Sequence, residues 1–317
     1  VILPGPSPED TSGSPGRRTA VSAGLCAGAA LFAVLLALLG ASMAARGTGE
    51  LRIPGAGRTT ALRVAVFAAL ALHLGELAGA RLARAGPAPR GWALPAALTG
   101  AAASAAQIAV LAAVSGLGVT TVYGTVEGRL LLVMANGFLL AAGCVALDRP
   151  SWAPLPLAVV VGAEALRAHP EPYTPMLGTA LTVVHLTAAS LWTGGLLYVL
   201  CTAWLRRGDP AGARAVLVRY ARLAAWLFAA LAATGTVSTL RRLPADVVLS
   251  TAYGRVLIAK LVLVAVVGAL ALTARHRLRA GRDVLPPARA ELALLAVVVV
   301  LSAVLTVVPD PHWLSTR

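Results

Sequence analysis

Hydrophobic positions in this chain run together and do not alternate. Stretches of Ala, Leu and Val separated by short polar connectors occupy residues 20–45, 60–82, 93–117, 129–147, 152–168, 176–204, 216–239, 256–275 and 288–308. Runs that approach ~20 apolar residues cross a bilayer as helix, and continuous runs lack the alternation of a membrane barrel. The pattern predicts an all-α, polytopic transmembrane helix bundle of about nine spans. Helix breakers mark the connectors: Pro87 and Pro89, Pro150, Pro170 with Pro172 and Pro175, Gly208 with Pro210, Pro244, and Pro286 with Pro287.

The same pattern divides the chain. Residues 1–19, rich in Pro, Gly and Ser and ending near Arg17 and Arg18, read as a disordered cytoplasmic tail. The first four runs fall in 20–150 and the remaining five in 151–317. The run 20–45 ends in Ala41-Ser-Met-Ala-Ala45, which resembles a leader cleavage site, but it is longer than a usual leader core and is read as a retained helix.

Composition supports a lipid environment. Hydrophobic residues make up 58% of the chain and charged ones 13%, against about 25% charged in soluble domains. A net charge of +14 would suggest nucleic acid for a soluble protein. Here the arginines sit in connectors, so they report orientation and no nucleic acid is expected as a partner. The connectors 81–92 (Arg81, Arg84, Arg90), 205–215 (Arg206, Arg207, Arg214) and 276–289 (Arg277, Arg279, Arg282, Arg289) belong together on the cytoplasmic side. Connectors 118–128 and 169–175 contain no Arg or Lys and belong outside. This predicts a multi-pass protein of the cytoplasmic (inner) membrane, with its N-terminus in the cytoplasm and its C-terminus outside. One connector disagrees: 46–63 should lie outside yet carries Arg46, Arg52, Arg58 and Arg63. Cys26, Cys144 and Cys201 lie within apolar runs without paired spacing, which argues against disulfides or a zinc knuckle.

Ionisable groups inside spans are costly, so each is a candidate for function. His185 falls about ten residues into its run, with Trp192 seven residues on along the same face and Gly194 and Gly195 following. It is either a buried, hydrogen-bonded histidine or a ligand for a metal or haem. His169 and His312 lie in connectors expected outside, with Met176 nearby. Imidazole and thioether suit copper, although loop histidines are also commonly just solvated. With Glu164 these residues could line an external mouth. His73 and Glu76 share a helical face and could form a structural hydrogen bond or a proton relay. Lys260 could snorkel to the interface or act as a fixed cation opposite Glu164. No phosphate loop, HExxH pair or GxSxG elbow occurs, so nucleotide-driven pumping and hydrolysis have no sequence basis and no enzyme activity is expected. An echo joins Thr121-Val-Tyr-Gly124 with Thr251-Ala-Tyr-Gly254, followed by Arg129 and Arg255, and would fit a duplicated four-helix unit.

Four segments, in order, resemble the CopD copper-resistance membrane family. They are His185-Leu-Thr-Ala-Ala-Ser-Leu-Trp-Thr-Gly-Gly195, Arg219-Tyr-Ala-Arg-Leu-Ala224, Ala233-Thr-Gly235 and Thr251-Ala-Tyr-Gly-Arg-Val-Leu-Ile-Ala-Lys260. The likeness extends over about residues 165–309, ending in Ala303-Val-Leu-Thr-Val-Val-Pro309. It implies a membrane protein that handles copper, moving it inward from the external side, beside a CopC-like carrier acting in trans. It also implies that His185, Trp192, Tyr253, Gly254 and Lys260 are family positions, with His169 more loosely matched. Met43, Met134 and Met176 are scattered, unlike the Met-rich segments of a high-flux copper path. Two other functions remain open on the residues alone. One is a b-type haem electron carrier using His73 and His185; the other is a copper-binding assembly or sensor protein that moves nothing.

Overall fold

A computed structural model describes residues 15–309 except 52, 85, 169–173 and 244–246. The described residues are helical and contain no strand. The helices are α1 (Pro15–Ala44), α2 (Ala56–Ala83), α3 (Ala93–Ser115), the short α4 (Val119–Val122), α5 (Val126–Ala146), α6 (Pro154–Ala168), α7 (Pro175–Leu205), α8 (Pro210–Arg242), α9 (Ala252–Arg279) and α10 (Leu285–Leu305). Every hydrophobic run in the sequence becomes a helix.

The expected number of spans needs correction. Among the described residues seven helices are long and apolar enough to cross a membrane: α2, α3, α5, α7, α8, α9 and α10. At 15 residues, α6 rises only about 22 Å, short of the ~30 Å hydrocarbon core. The described apolar part of α1 is limited to Gly28–Ala44. Moreover, α1 begins at Pro15, within the stretch expected to be disordered. Large apolar side chains such as Phe32, Leu140, Trp226 and Leu272 stay exposed on the outside of the bundle, where lipid would cover them.

Side chains tie the helix ends together and sort them into two groups. At one end, Arg206 donates to the carbonyls of Ala83 and Pro87, Arg219 to Leu82 and Arg214 to Leu278. These arginines occupy the C-terminal carbonyls of α2 and α9, where positive charge is favoured. At the other end, Arg63 donates to the carbonyl of Thr306, Arg255 to those of Ala44 and Arg46, and Arg241 to Thr174. Arg63 is thus a buried part of α2 and not a connector residue. With Arg58 also inside α2, two of the four positive charges of the discordant connector belong to the helix.

Two apolar clusters share α2 as a neighbour. One is built from α2, α3, α5 and α6 around Leu70, Leu131, Phe138 and Leu157. The other is built from α7, α8, α9 and α10 around Trp192, Val199, Tyr220 and Leu295, with Leu82 of α2 against it. Glycines let α2 and α7 cross in direct backbone contact. A Cβ on Gly75 would fall into the backbone of Gly194, and one on Gly194 would strike the carbonyl of Ala71. Small residues are the usual means of such close crossings between membrane helices. Because backbone atoms are in the way, Gly194→Ala is expected to destabilise the protein by about 1–3 kcal/mol, read as a lowered Tm in detergent. An unchanged Tm would mean the two helices can separate freely here.

The sequence echo is real in geometry but shifted by four residues in its first copy. Thr125 accepts from the amide of Gly128, and Thr251 from that of Gly254, each capping a helix start. In both, the glycine lies against a valine carbonyl six residues earlier, Val122 or Val248, and an arginine follows, Arg129 or Arg255. The matching unit is therefore Thr125-Val-Glu-Gly128 with Thr251-Ala-Tyr-Gly254; Thr121 lies instead in α4. The order α2, α3, α5, α6 and the order α7, α8, α9, α10 are compatible with two copies of one four-helix unit.

Candidate functional site

His185 lies ten residues into α7, roughly 15 Å along its axis and so near the middle of a spanning helix. Thr234 on α8 and Lys260 on α9 stand at similar depths, each eight residues, or about 12 Å, from its helix end. The His185 Nδ1 and Thr234 Oγ1 are 2.9 Å apart. Thr234 Oγ1 spends its own proton on the carbonyl of Ala230 at 2.7 Å. A hydroxyl has one proton to give; with that proton on the Ala230 carbonyl, Nδ1 donates to Thr234, and this is the tautomer whose Nε2 carries the lone pair, the arrangement in which a second partner orients a ligating imidazole. Gly235 sits beside the ring, 3.6 Å from its Cε1 if it carried a Cβ. The Lys260 ammonium is close enough for its charge to act on the ring.

Farther along α7, toward the Arg206 end, Trp192 is enclosed. Its Nε1 donates to Glu291 Oε1 of α10 at 2.8 Å, and its carbonyl accepts from the Tyr220 hydroxyl of α8 at 2.7 Å. Phe228 meets the indole edge-on with centroids 5.7 Å apart. Glycine at 195 makes room for the Tyr220 ring. Glu291 lies within the run 288–308 but not among the expected site residues; its pairing with Trp192 depends on the packing of α10 against α7.

A third polar group joins α2, α3, α5 and α6. Arg167 bonds Glu164 at 2.8 Å, Gln107 Oε1 at 2.9 Å and Glu127 at 3.4 Å. Arg63 lies within electrostatic range of the same carboxylates. Glu164 is therefore paired with a residue on its own helix one turn away. Arg63 reads from sequence as a connector charge, and Arg167 resembles an ordinary helix-end arginine. The i, i+3 spacing from Glu164 was the one available hint for Arg167.

The remaining candidates are dispersed. His73 is fully buried, and neither ring nitrogen has a hydrogen-bond partner. Glu76 does not bond to it; its Oε2 accepts from the amides of Trp92 and Ala93 at 2.6 and 2.7 Å. The carboxylate thus occupies the N-terminus of α3, where negative charge is favoured. Met176 is exposed in the first turn of α7. His169 and His312 lie outside the described residues. Tyr253 and Gly254 are buried in the first turn of α9, where Gly254 lets that turn approach Val248.

Among the described residues no three His, Cys, Asp or Glu side chains gather around one point where a metal could be caged. What the bundle offers is an imidazole at membrane depth with a cation beside it and, seven residues on along the same helical face, Trp192 bonded to the buried acid Glu291 of α10.

Residues 214–305 match the family model CopD, copper resistance protein D. The matched stretch runs from α8 to the end of α10 and includes Thr234, Tyr253, Gly254, Lys260 and Glu291; α7, with His185 and Trp192, precedes it. No curated protein and no solved structure matches the chain.

Proposed function

From the CopD-family membership that this match supports, we propose that the protein moves copper across the cytoplasmic membrane, inward and without ATP. His185 is the intramembrane ligand. The observation that carries this reading is the 2.9 Å pairing of His185 Nδ1 with Thr234 Oγ1, whose own proton goes to the Ala230 carbonyl; Nδ1 then donates and Nε2 is the nitrogen offered to the ion. Imidazole nitrogen is a good copper donor. Lys260 would repel a cation held there, which favours a short stop over tight retention.

The arginine-rich Arg206 end faces the cytoplasm in this reading, and the end that holds Thr306 faces outside. Copper delivered by a CopC-like carrier would enter there past Met176, His169 and His312, with Trp192, Gly194, Gly195, Tyr253, Gly254 and Lys260 shaping the route around His185. Glu164 would act near that mouth as a fixed charge held by Arg167.

Uptake of radioactive copper by liposomes containing the purified protein tests the reading. Accumulation above protein-free liposomes is expected. Binding without accumulation would favour an assembly or sensor role, and a Soret band in the purified protein would favour a haem carrier. Within the site, Thr234→Val removes the partner that orients His185. It is expected to weaken copper binding roughly tenfold in a titration, and unchanged affinity would contradict the assigned tautomer.

A further inference from the structure

Glu291 is a buried acid for which copper binding at His185 has no use. It stands in the second turn of α10, 3% exposed, and Trp192, 2% exposed, donates to its Oε1. Around the pair lie Leu196, Val216, Ala288 and Leu295, all apolar. The groups that face it are few. From α8, Tyr220 is the titratable neighbour, and its hydroxyl is spent on the Trp192 carbonyl. From α7 it meets the Trp192 indole. From α9 and α2 the same cluster receives Val267, Ala271 and Leu82.

The cations toward that end of the bundle are turned elsewhere. Arg219 binds the carbonyl of Leu82, Arg206 those of Ala83 and Pro87, and Arg214 that of Leu278. Arg289 and His276 are exposed. Among the described residues no ion pair includes Glu291; the two that form both involve Arg167. A bare carboxylate in such surroundings is very costly, so it must carry either a proton or a cation.

Its position gives that requirement a use. Trp192 follows His185 by seven residues on one face of α7, about 10 Å along the axis. The acid therefore lies beside the stretch a cation must pass after leaving His185 for the Arg206 end. With Oε1 accepting from the indole, Oε2 is the oxygen that holds a proton.

We propose that Glu291 is a cation–proton exchange site in the core of α7, α8 and α10, which couples passage of the ion to movement of a proton. The Oε2–H bond breaks as the cation arrives, and the proton passes to water at the Arg206 end. The cation serves as counter-charge until it leaves, after which Oε2 takes up a proton from water at the Thr306 end, so that one proton crosses with each ion. No electron moves. The coupling rests on the copper reading; the existence of the protonated carboxyl does not.

Infrared difference spectroscopy across a pH step, on the full chain in lipid, reads the carboxyl directly. The expected result is a C=O stretch of a protonated acid that is absent in Glu291→Gln and shifted in Trp192→Phe, where the indole donor is lost. An identical band in Glu291→Gln, or no band in the wild type, overturns the site. Copper uptake into liposomes under an imposed proton gradient reads the coupling. Gradient dependence in the wild type should vanish in Glu291→Gln, whereas equal dependence in both overturns the exchange role. A carboxyl band in a protein that takes up no copper would retain the proton site and remove the copper reading. Trp192→Phe keeps the test decisive should Glu291→Gln fail to fold, since the band must then shift.

Discussion

His185→Ala is expected to reduce copper uptake into liposomes to the protein-free level. A cation at mid-membrane has lost most of its hydration, and leaving it without a ligand costs tens of kcal/mol in the limit of a bare ion. The helix has little else to offer at that depth, since the neighbouring groups are the Thr234 hydroxyl, already engaged, and the Lys260 cation. His185→Gln keeps a side chain of similar size and serves to show that the fold survives, by an unchanged elution volume in detergent. Uptake in His185→Ala equal to that of the wild type would remove this residue from the path. Thr234→Val should fall between the two, because it disturbs the orientation of the ring and leaves the nitrogen in place.

The largest stability effect is expected at Arg167. Arg167→Leu strips Glu164 of its ion-pair partner and takes a donor from Gln107 and Glu127. Glu164 is 1% exposed, and its Oε1 already has no partner. Removing one member of a buried pair commonly costs about 3–5 kcal/mol, because the other charge is stranded, whereas replacing both with apolar residues is far milder. Chemical unfolding in detergent should therefore show Arg167→Leu much less stable than Arg167→Leu combined with Glu164→Leu. A single variant that loses less than about 1 kcal/mol would place this network in a wetter setting than its burial indicates.

How far the sequence anticipated this depends on the kind of signal. Hydrophobic runs located every long helix, since lipid demands continuous apolar segments and leaves little room for ambiguity. The number that can span was harder to read. The α6 run resembles the others in composition, and only its short length, bounded by Pro150 and Pro154 on one side and the prolines after His169 on the other, sets it apart. Side-chain partners were least legible. Glu76 sits three residues from His73, and the spacing invites a pair. In the folded chain a stronger attraction, the free amides at the start of α3, claims the carboxylate. Glu291 and Arg167 lie inside the runs 288–308 and 152–168, but their partners are set by tertiary packing, Trp192 of α7 for one and Gln107 and Glu127 of α3 and α5 for the other, and hydrophobic pattern does not report that. Thr234 could be quoted as part of a family-like segment, but its pairing with His185 needs the distance between two helices that are far apart in sequence.

The oriented imidazole of His185 is the central element, and X-ray absorption spectroscopy of the copper-loaded protein in lipid examines it most directly. Scattering from an imidazole ring bound to copper is predicted for the wild type and for Glu291→Gln, and its loss is predicted for His185→Ala. A copper spectrum that is the same with and without His185 would contradict it.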